Sequence, residues 1–596
     1  MKRDQFLCCF EKASDNYNMA YSTNKNIFTS INTVLNDFNR IISIDNGNSN
    51  ILNKSFDKIF IINMESDFIR KKNILILDDY NISYNYVNAI TQDNSSIKDF
   101  CDKQSQKYKS IDYSTYSNQS ICLALSNLLI LNYCIHNNIK KILILEDDFL
   151  LHKNFKQLLS KNLDNLPNNW NILWLGSKQG DISSPTKYND NWNLPNNQTW
   201  GTHAYGLNNC IREIKEEYSK FNLPIDLSIS MKLNNLKKYV CRENIIITEC
   251  DGKIINSLGH KDTYDLWKWK QQDYIKTTKK SINIFESIIQ NGSWLKSINN
   301  MGSWNTAIQS LKNINNKTDA VFFDFIDRDF GWEYHNNTNM LIKNQKWMGV
   351  VHHPYILPEY IYGSSKIIID STVNKYLHSC EYLITLSKTL KRKLLYNNHI
   401  KKNKVNIINM KHPTNIFDSL LEFNYDKFIK DELKLFISLG GAFRKLNSID
   451  KININNKQYK KLWMFGSNKT YYSNLQIECQ IEKYNMSGNT HISKEVNYNT
   501  YNSILSQNIA FNDFIGTSAN NSILDCIARN TPIIIKKLPA VVEYLGAEYP
   551  LYFNELYEVN NLLDISRIKD AYMYLKNMNK KDLSLFLFIR KIYEIL

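Results

Sequence analysis

"KKILILEDDF", residues 140–149, decides the fold. Four aliphatic side chains, Ile142 to Leu145, run straight into three adjacent carboxylates, Glu146, Asp147 and Asp148. A continuous apolar run of this length reads as a strand covered on both faces. Alternate side chains of a strand share a face, so Glu146 and Asp148 are expected to point together and Asp147 away from them. Open α/β sheets bind ligands beyond the carboxyl ends of their strands. Two carboxylates there repel unless a cation lies between them. Mg2+ or Mn2+, held by one or two carboxylates and completed by substrate phosphates, meets that need. The plainer alternative is a solvated strand end followed by an acidic helix cap.

Outward from this strand the pattern alternates. "KIFIIN" (58–63) predicts a strand, and "NILILDDYNISYNYVNAI" (73–90) is expected to supply another short one. Residues 121–137 and 155–163 predict helices, and "WNILWLGS" (170–177) a strand ending at Gly176. Strands alternating with helices indicate an α/β sheet. Residues 1–50 read as an N-terminal extension with one helix over 27–42. Residues 51–270 form the first domain, and 271–315 a polar helical linker or the start of the next lobe. A second alternating series follows, with strands in "DAVFFDFID", "WMGVVHHP", "CEYLITLS", "LKLFISLGG", "YKKLWMFGS", "IAFNDFIG" and "TPIIIKK". The simplest parse is one sheet in each half of the chain, with the second open to a split near residue 430 into lobes over 316–430 and 431–596.

A chain of 596 residues, 43% hydrophobic, is too long for one core. Its 73 basic and 58 acidic side chains leave a net charge of +15. That excess suits anionic partners, phosphorylated small molecules among them. The lysines are dispersed rather than gathered in one tract, and the aromatic residues are not interleaved with them, so no nucleic-acid groove is indicated. Eleven cysteines without a Cys-x-x-Cys pair point to thiols in a reducing compartment, and no structural zinc spacing occurs. The N-terminus lacks a sustained apolar stretch, and no run of about 20 apolar residues exists. "ICLALSNLLILNYCIHNN" comes nearest to a span, but Ser126, Asn127, Asn132 and His136 interrupt it, and it reads as a buried helix. The expectation is a cytoplasmic protein without a membrane span.

An ordered set of blocks over residues 56–265 resembles glycosyltransferase family 25, the lipopolysaccharide and collagen glycosyltransferase type. The blocks are "FDKIFIINMESDFIR", "NAI", "CLALSNLLILNYCI", "ILILEDDFLLHKNF", "WGTHAYGL" and "LPIDLSI". The resemblance implies a GT-A type nucleotide-sugar domain that uses Mn2+ or Mg2+. It implies Glu146 and Asp148 as metal ligands, with His260 of "SLGHKD" as a later one. It also implies Asn63, Arg70 and Ser126 as substrate-binding residues and Asp226 as the base for the acceptor hydroxyl. The family usually has His where this chain has Asn127.

Three features mark the second half. His352 and His353 end a strand, and His353 is placed to contact a transferred sugar. Gly440 and Gly441 form a turn that lets backbone amides approach a diphosphate, with Arg444 and Lys445 beside it. Asn521 and Ser522 open a helix whose amides face a ligand, and Asp525, one turn along, is expected to accept from ribose hydroxyls. Each is also readable as a turn, a surface or a helix cap. In order they resemble a family-4-like GT-B glycosyltransferase of two Rossmann-like lobes, with Asp525 in place of the usual Glu, Asn530 in place of the usual Gly and Thr517 where an acid is usual.

The sequence reading is therefore an α/β protein, a GT-A type domain followed by a GT-B-like module. It would act as a bifunctional glycosyltransferase from nucleotide-sugar donors, most simply UDP-sugars, to a glycan or glycoprotein. The alternative is a glycan- or nucleotide-sugar-binding protein with one or both modules inactive. Oligomeric state is not legible.

Overall fold

The computed structural model describes residues 27–47, 50–64, 70–92, 95–108, 118–179, 186–196, 199–249, 269–275, 283–284, 304–311, 320–332, 345–356, 365–414, 422–464, 469–493 and 498–595. The chain divides into two compact units, one over Thr23–Lys280, the other over Ser281–Lys312 and Asn316–Leu596.

The strands of the first unit are, in chain order, β1 (Ile41–Ile44), β2 (Lys58–Asn63), β3 (Tyr84–Asn88), β4 (Lys141–Glu146), β5 (Phe149–Leu151), β6 (Ile172–Trp174), β7 (Lys178–Gln179), β8 (Thr186–Lys187), β9 (Trp192–Leu194), β10 (Thr199–Trp200), β11 (Ala204–Asn208), β12 (Lys238–Cys241) and β13 (Ile246–Thr248). Nine of them form one mixed sheet in the order β1-β3-β2-β4-β11-β6-β12-β9-β8. β2 is parallel to β3 on one side and to β4 on the other. The chain leaves β2 for one flank and returns to the opposite flank at β4, so a crevice opens at the carboxyl ends of these two strands. Ile142 to Leu145 of β4 are fully buried. At about 1.5–3 kcal/mol for each buried side chain, they anchor the acids that follow.

Two local expectations need correction, and a third, the short strand within 73–90, is met by β3 with a helix ahead of it. The predicted helix over 27–42 stops at Leu35, and residues 41–44 instead add an edge strand antiparallel to β3. The β-branched run Ile41-Ile42-Ser43-Ile44 prefers that pleated position, so from Thr23 the expected extension belongs to the first unit. "NILILDD" is part of a helix, Lys71–Asp79, ahead of the expected strand β3. Four consecutive aliphatics suit either state when every side is covered, and Lys71 through Leu77 are all buried. Finally, β4 ends at Glu146, and Asp147 and Asp148 form a turn into β5. Strand alternation therefore does not orient the three acids. The apolar helix Asn118–His136 is long and apolar enough by composition to cross a membrane. Here its residues from Ile121 to Cys134 are largely buried in the core of the unit.

The second unit carries two parallel sheets. β14 (Asn283–Ile284), β15 (Val321–Phe323), β16 (Trp347–Val351), β17 (Cys380–Thr385) and β18 (Asn406–Asn409) lie side by side in sequence order. β19 (Lys434–Leu439), β20 (Tyr459–Met464), β21 (Thr490–Ser493), β22 (Ile509–Asn512), β23 (Ile533–Lys536) and β24 (Tyr552–Phe553) follow the order β21-β20-β19-β22-β23-β24. This is the doubly wound order, with its switch point between β19 and β22. The C-terminal helix Leu585–Ile595 returns to the helix Trp304–Leu311, where Phe588 packs its ring 5.4 Å from Trp304. A carboxylate also crosses between the lobes: Glu543 accepts from the backbone N–H groups of Lys388 and Thr389, the first turn of helix Lys388–Leu395.

Candidate active site

The crevice at the ends of β2 and β4 sorts the three acids. Asp147 is buried and fully engaged. Its Oδ2 accepts from Asn63 Nδ2 at 2.6 Å, its Oδ1 from Arg70 Nη1 at 3.1 Å, and its carbonyl from Asn73 Nδ2 at 3.2 Å. Tyr86 Oη donates to Asn63 Oδ1 at 3.0 Å and fixes that amide in turn. Asn63 and Arg70, expected to touch substrate, are thus occupied in holding the turn. Glu146, half-buried at the strand end, accepts from the hydroxyl of Thr202. Asp148 is buried, and its carbonyl accepts from the backbone N–H of Glu249, which directly follows β13. Glu249 is clasped by Lys72 Nζ at 3.4 Å and Asn73 Nδ2 at 3.2 Å.

Asp226 lies in the first turn of helix Ile225–Met231. Its Oδ1 accepts from Leu227 N at 2.9 Å and its Oδ2 from Gly201 N at 3.3 Å. Gly201 has φ +102°, a conformation that suits glycine, and it hands the chain directly to Thr202 beside Glu146. Asp226 is thereby linked to the acid cluster through two residues of backbone. Ser126 is not at the crevice surface. Its hydroxyl accepts from Ile90 N and donates to Cys122 O, both at 2.9 Å, holding the segment after β3. Asn127 accepts from Tyr205 Oη at 2.6 Å inside the core. His260 lies outside the described residues. Among the described residues, no three His, Cys, Asp or Glu side chains come together in a metal-holding set. The two carboxylates of Glu146 and Asp148 match the hard-oxygen donor set of Mg2+ or Mn2+ bound jointly with phosphates.

Thr202, Asn73, Lys72 and Glu249 were not singled out by sequence. Thr202 sits inside the block "WGTHAYGL". Glu249 is a lone acid ending the apolar run "NIIIT". Nothing in one-dimensional spacing brings residue 249 to residue 148.

In the second unit the switch point gathers Arg444, Asn512, Asn520 and Ser522. Arg444 donates from Nε to Asn512 Oδ1 at 2.9 Å, from Nη2 to Asn520 Oδ1 at 3.0 Å and Ser522 Oγ at 3.1 Å, and from Nη1 to Ala442 O at 2.7 Å. Gly440 has φ +76°, and a Cβ there would meet the guanidinium at 3.1 Å. Gly441 is buried beside it, and Lys445 is exposed with its N–H bonded to Asp513 O. Asn520 caps the helix Asn521–Arg529, and Asn530 closes it in the left-handed region at φ 59°. Asn521 is exposed on its first turn.

Asp525 is turned the other way. Tyr501 Oη donates to its Oδ2 at 2.8 Å, and Arg529 Nη1 reaches its Oδ1 at 3.3 Å, all three groups being buried. The expected ribose contact is therefore a correction: this carboxylate pairs with a buried guanidinium one turn away. Burial raises its pKa, and Arg529 opposes that shift. His353 is half-buried against Phe325 and Phe443, with ring centroids at 5.4 and 4.9 Å. Beneath it lies Asp327, fully buried, whose Oδ2 accepts from His352 N at 2.7 Å and His353 N at 3.3 Å.

Residues 56–229 match the sequence model of glycosyltransferase family 25 (LPS biosynthesis protein). No curated protein matches the chain. Similar solved structures include sucrose-phosphate synthase from Thermosynechococcus elongatus, at 11% identity over 49% of this chain and 76% of that one, with a TM-score of 0.36. A UDP-forming trehalose-phosphate synthase from Burkholderia xenovorans gives 10% identity over 49% and 76%, with a TM-score of 0.32. Anabaena Alr3699/HepE, in complex with UDP-glucose, gives 8% over 56% and 89%, with a TM-score of 0.36. Within the first unit residues 56–229 are similar to that family; the doubly wound order of the second unit rests on its own strand pairings.

Proposed function

We propose that the first unit is a GT-A type domain that transfers a sugar from a UDP-sugar to a hydroxyl of a glycan or glycoprotein. The observation that carries this reading is the sorting of the acids within the matched residues: Asn63 and Arg70 lock Asp147, and Glu146 and Asp148 flank it at the sheet edge. In this reading Glu146 and Asp148 hold Mn2+ or Mg2+ on the diphosphate. The ion, when bound, offsets charge developing on the leaving nucleotide. Thr202 orients Glu146, and the Glu249 clasp holds the Asp148 turn. Asp226, fixed by two backbone amides, is the proposed base that takes the acceptor hydroxyl's proton.

For the second unit we propose a GT-B-like nucleotide-sugar module, with Arg444 and the Asn520–Ser522 helix start facing the phosphates and His353 the sugar. This would make the chain bifunctional. A binding-only second unit is favoured by one observation: Asp525 is spent on Arg529 and Tyr501. Turnover of UDP-sugars by the full chain, assayed with acceptor glycans, tests both readings. Loss of all turnover in Glu146→Gln supports a single active unit. Residual chelator-resistant turnover that Arg444→Ala removes supports two.

A further inference from the structure

Two thiols meet inside the first unit. Cys101 lies on helix Ser95–Tyr108 and Cys122 on helix Asn118–His136, with their Sγ atoms 3.7 Å apart. Both side chains are buried. A disulfide needs about 2.0 Å between sulfurs, so the two sulfurs already lie within a short approach of bonding.

We propose that Cys101 and Cys122 form a redox modification site, a dithiol that hydrogen peroxide converts to a disulfide joining these two helices. In the first step the Cys101 sulfur attacks one peroxide oxygen. The O–O bond breaks, a sulfenic acid forms, and the released hydroxide leaves as water with the thiol proton. In the second step Cys122 sulfur attacks the Cys101 sulfur. The S–O bond breaks, the S–S bond forms, and the hydroxyl leaves as water with the Cys122 proton. Two thiols are oxidised and one peroxide is reduced to two waters.

The roles follow from the pair itself. The hydrogen bond from Cys122 holds the Cys101 thiol below its ordinary pKa despite burial, so Cys101 is the more readily ionised nucleophile. By contrast, burial pushes Cys134 and Cys241 well up, which leaves them poor competitors. The cross-link would lie one turn from Ser126, whose hydroxyl is bonded to Cys122 O and to Ile90 N.

The test treats the native full chain with hydrogen peroxide, then denatures it, alkylates remaining thiols and identifies peptides by mass. The expected product is a Cys101–Cys122 cross-linked peptide pair, two hydrogens lighter than the sum of the reduced peptides. It reverts with dithiothreitol and is missing in Cys101→Ser and Cys122→Ser. The proposal is overturned if both thiols are still alkylated in full after saturating peroxide. It is equally overturned if either ends as sulfinic acid without the cross-link, or pairs with another cysteine. The wild-type result decides even if a serine variant fails to fold.

Discussion

At the residue scale, the three acids after β4 divide their work by what surrounds each. Asp147 has two side-chain donors and is a supporting group. Replacing it with Ala removes the Asp147 carboxylate from the Arg70 guanidinium, which is only 15% exposed. Breaking a mostly buried pair in this way costs about 3 kcal/mol. Asp147→Ala should therefore lower the unfolding midpoint of the first unit clearly in a denaturant titration. Asp148→Asn keeps the shape and should change stability by less than about 1 kcal/mol while reducing turnover about 100-fold or more. If Asp148→Asn were fully active, the assigned roles would be wrong. The sequence exposed the three acids, but not which of them is supporting. That answer depends on Asn63 and Arg70 converging on the carboxylate of Asp147 and Asn73 on its backbone carbonyl, and spacing along the chain does not encode such convergence.

At the element scale, the site depends on a close backbone crossing. A Cβ at Gly176 would lie 1.6 Å from the carbonyl oxygen of Ile246. Ile245 N and Ile246 N both bond to Leu175 O, so the two segments cannot separate without losing these bonds. Glu249 directly follows β13, and its N–H donates to the carbonyl of Asp148. Gly176→Ala should push β13 outward, destabilise the first unit by several kcal/mol and lower turnover even where the chain stays folded, as read by thermal melts and initial rates. Normal melting and normal rates would contradict this path. The sequence marked Gly176 as a strand end only. Elements with a clean apolar run between turn residues, such as β2, β4, β19 and β23, were legible. The helix Lys71–Asp79 was not, because an element buried on all sides loses the periodicity that distinguishes helix from strand.

At the scale of the whole molecule, the second unit should lose stability in acid. In the second unit His412 is buried between Trp304 and the Tyr544 hydroxyl, and burial pushes its imidazole down to about 4. Between the ordinary value of 6.5 and about 4, the unfolded chain takes up a proton that the native site refuses. Stability is present above that window and is lost as pH falls through it, by up to about 3 kcal/mol. His352, 6.0 Å away, shifts in the same direction, whereas buried Asp327, raised by burial, acts oppositely. Comparing His412→Gln with wild type isolates the His412 share. Chemical denaturation at pH 7 and pH 4.5 should show a smaller acid loss in the variant, and equal losses would refute the assignment. The alternating strands of the second half read most simply as one sheet open to a split near residue 430, and the structure has two. The inward turn of Asp525 was not legible, since it depends on Arg529 and Tyr501 closing over it.

The most direct measurement is initial-rate UDP-sugar turnover by the full chain, with Mn2+ and with excess chelator, for wild type, Glu146→Gln and Asp148→Asn. The account predicts Mn2+-dependent turnover that falls about 100-fold or more in each variant. Wild-type turnover unaffected by chelator, or full Mn2+-dependent turnover in both variants, would contradict it.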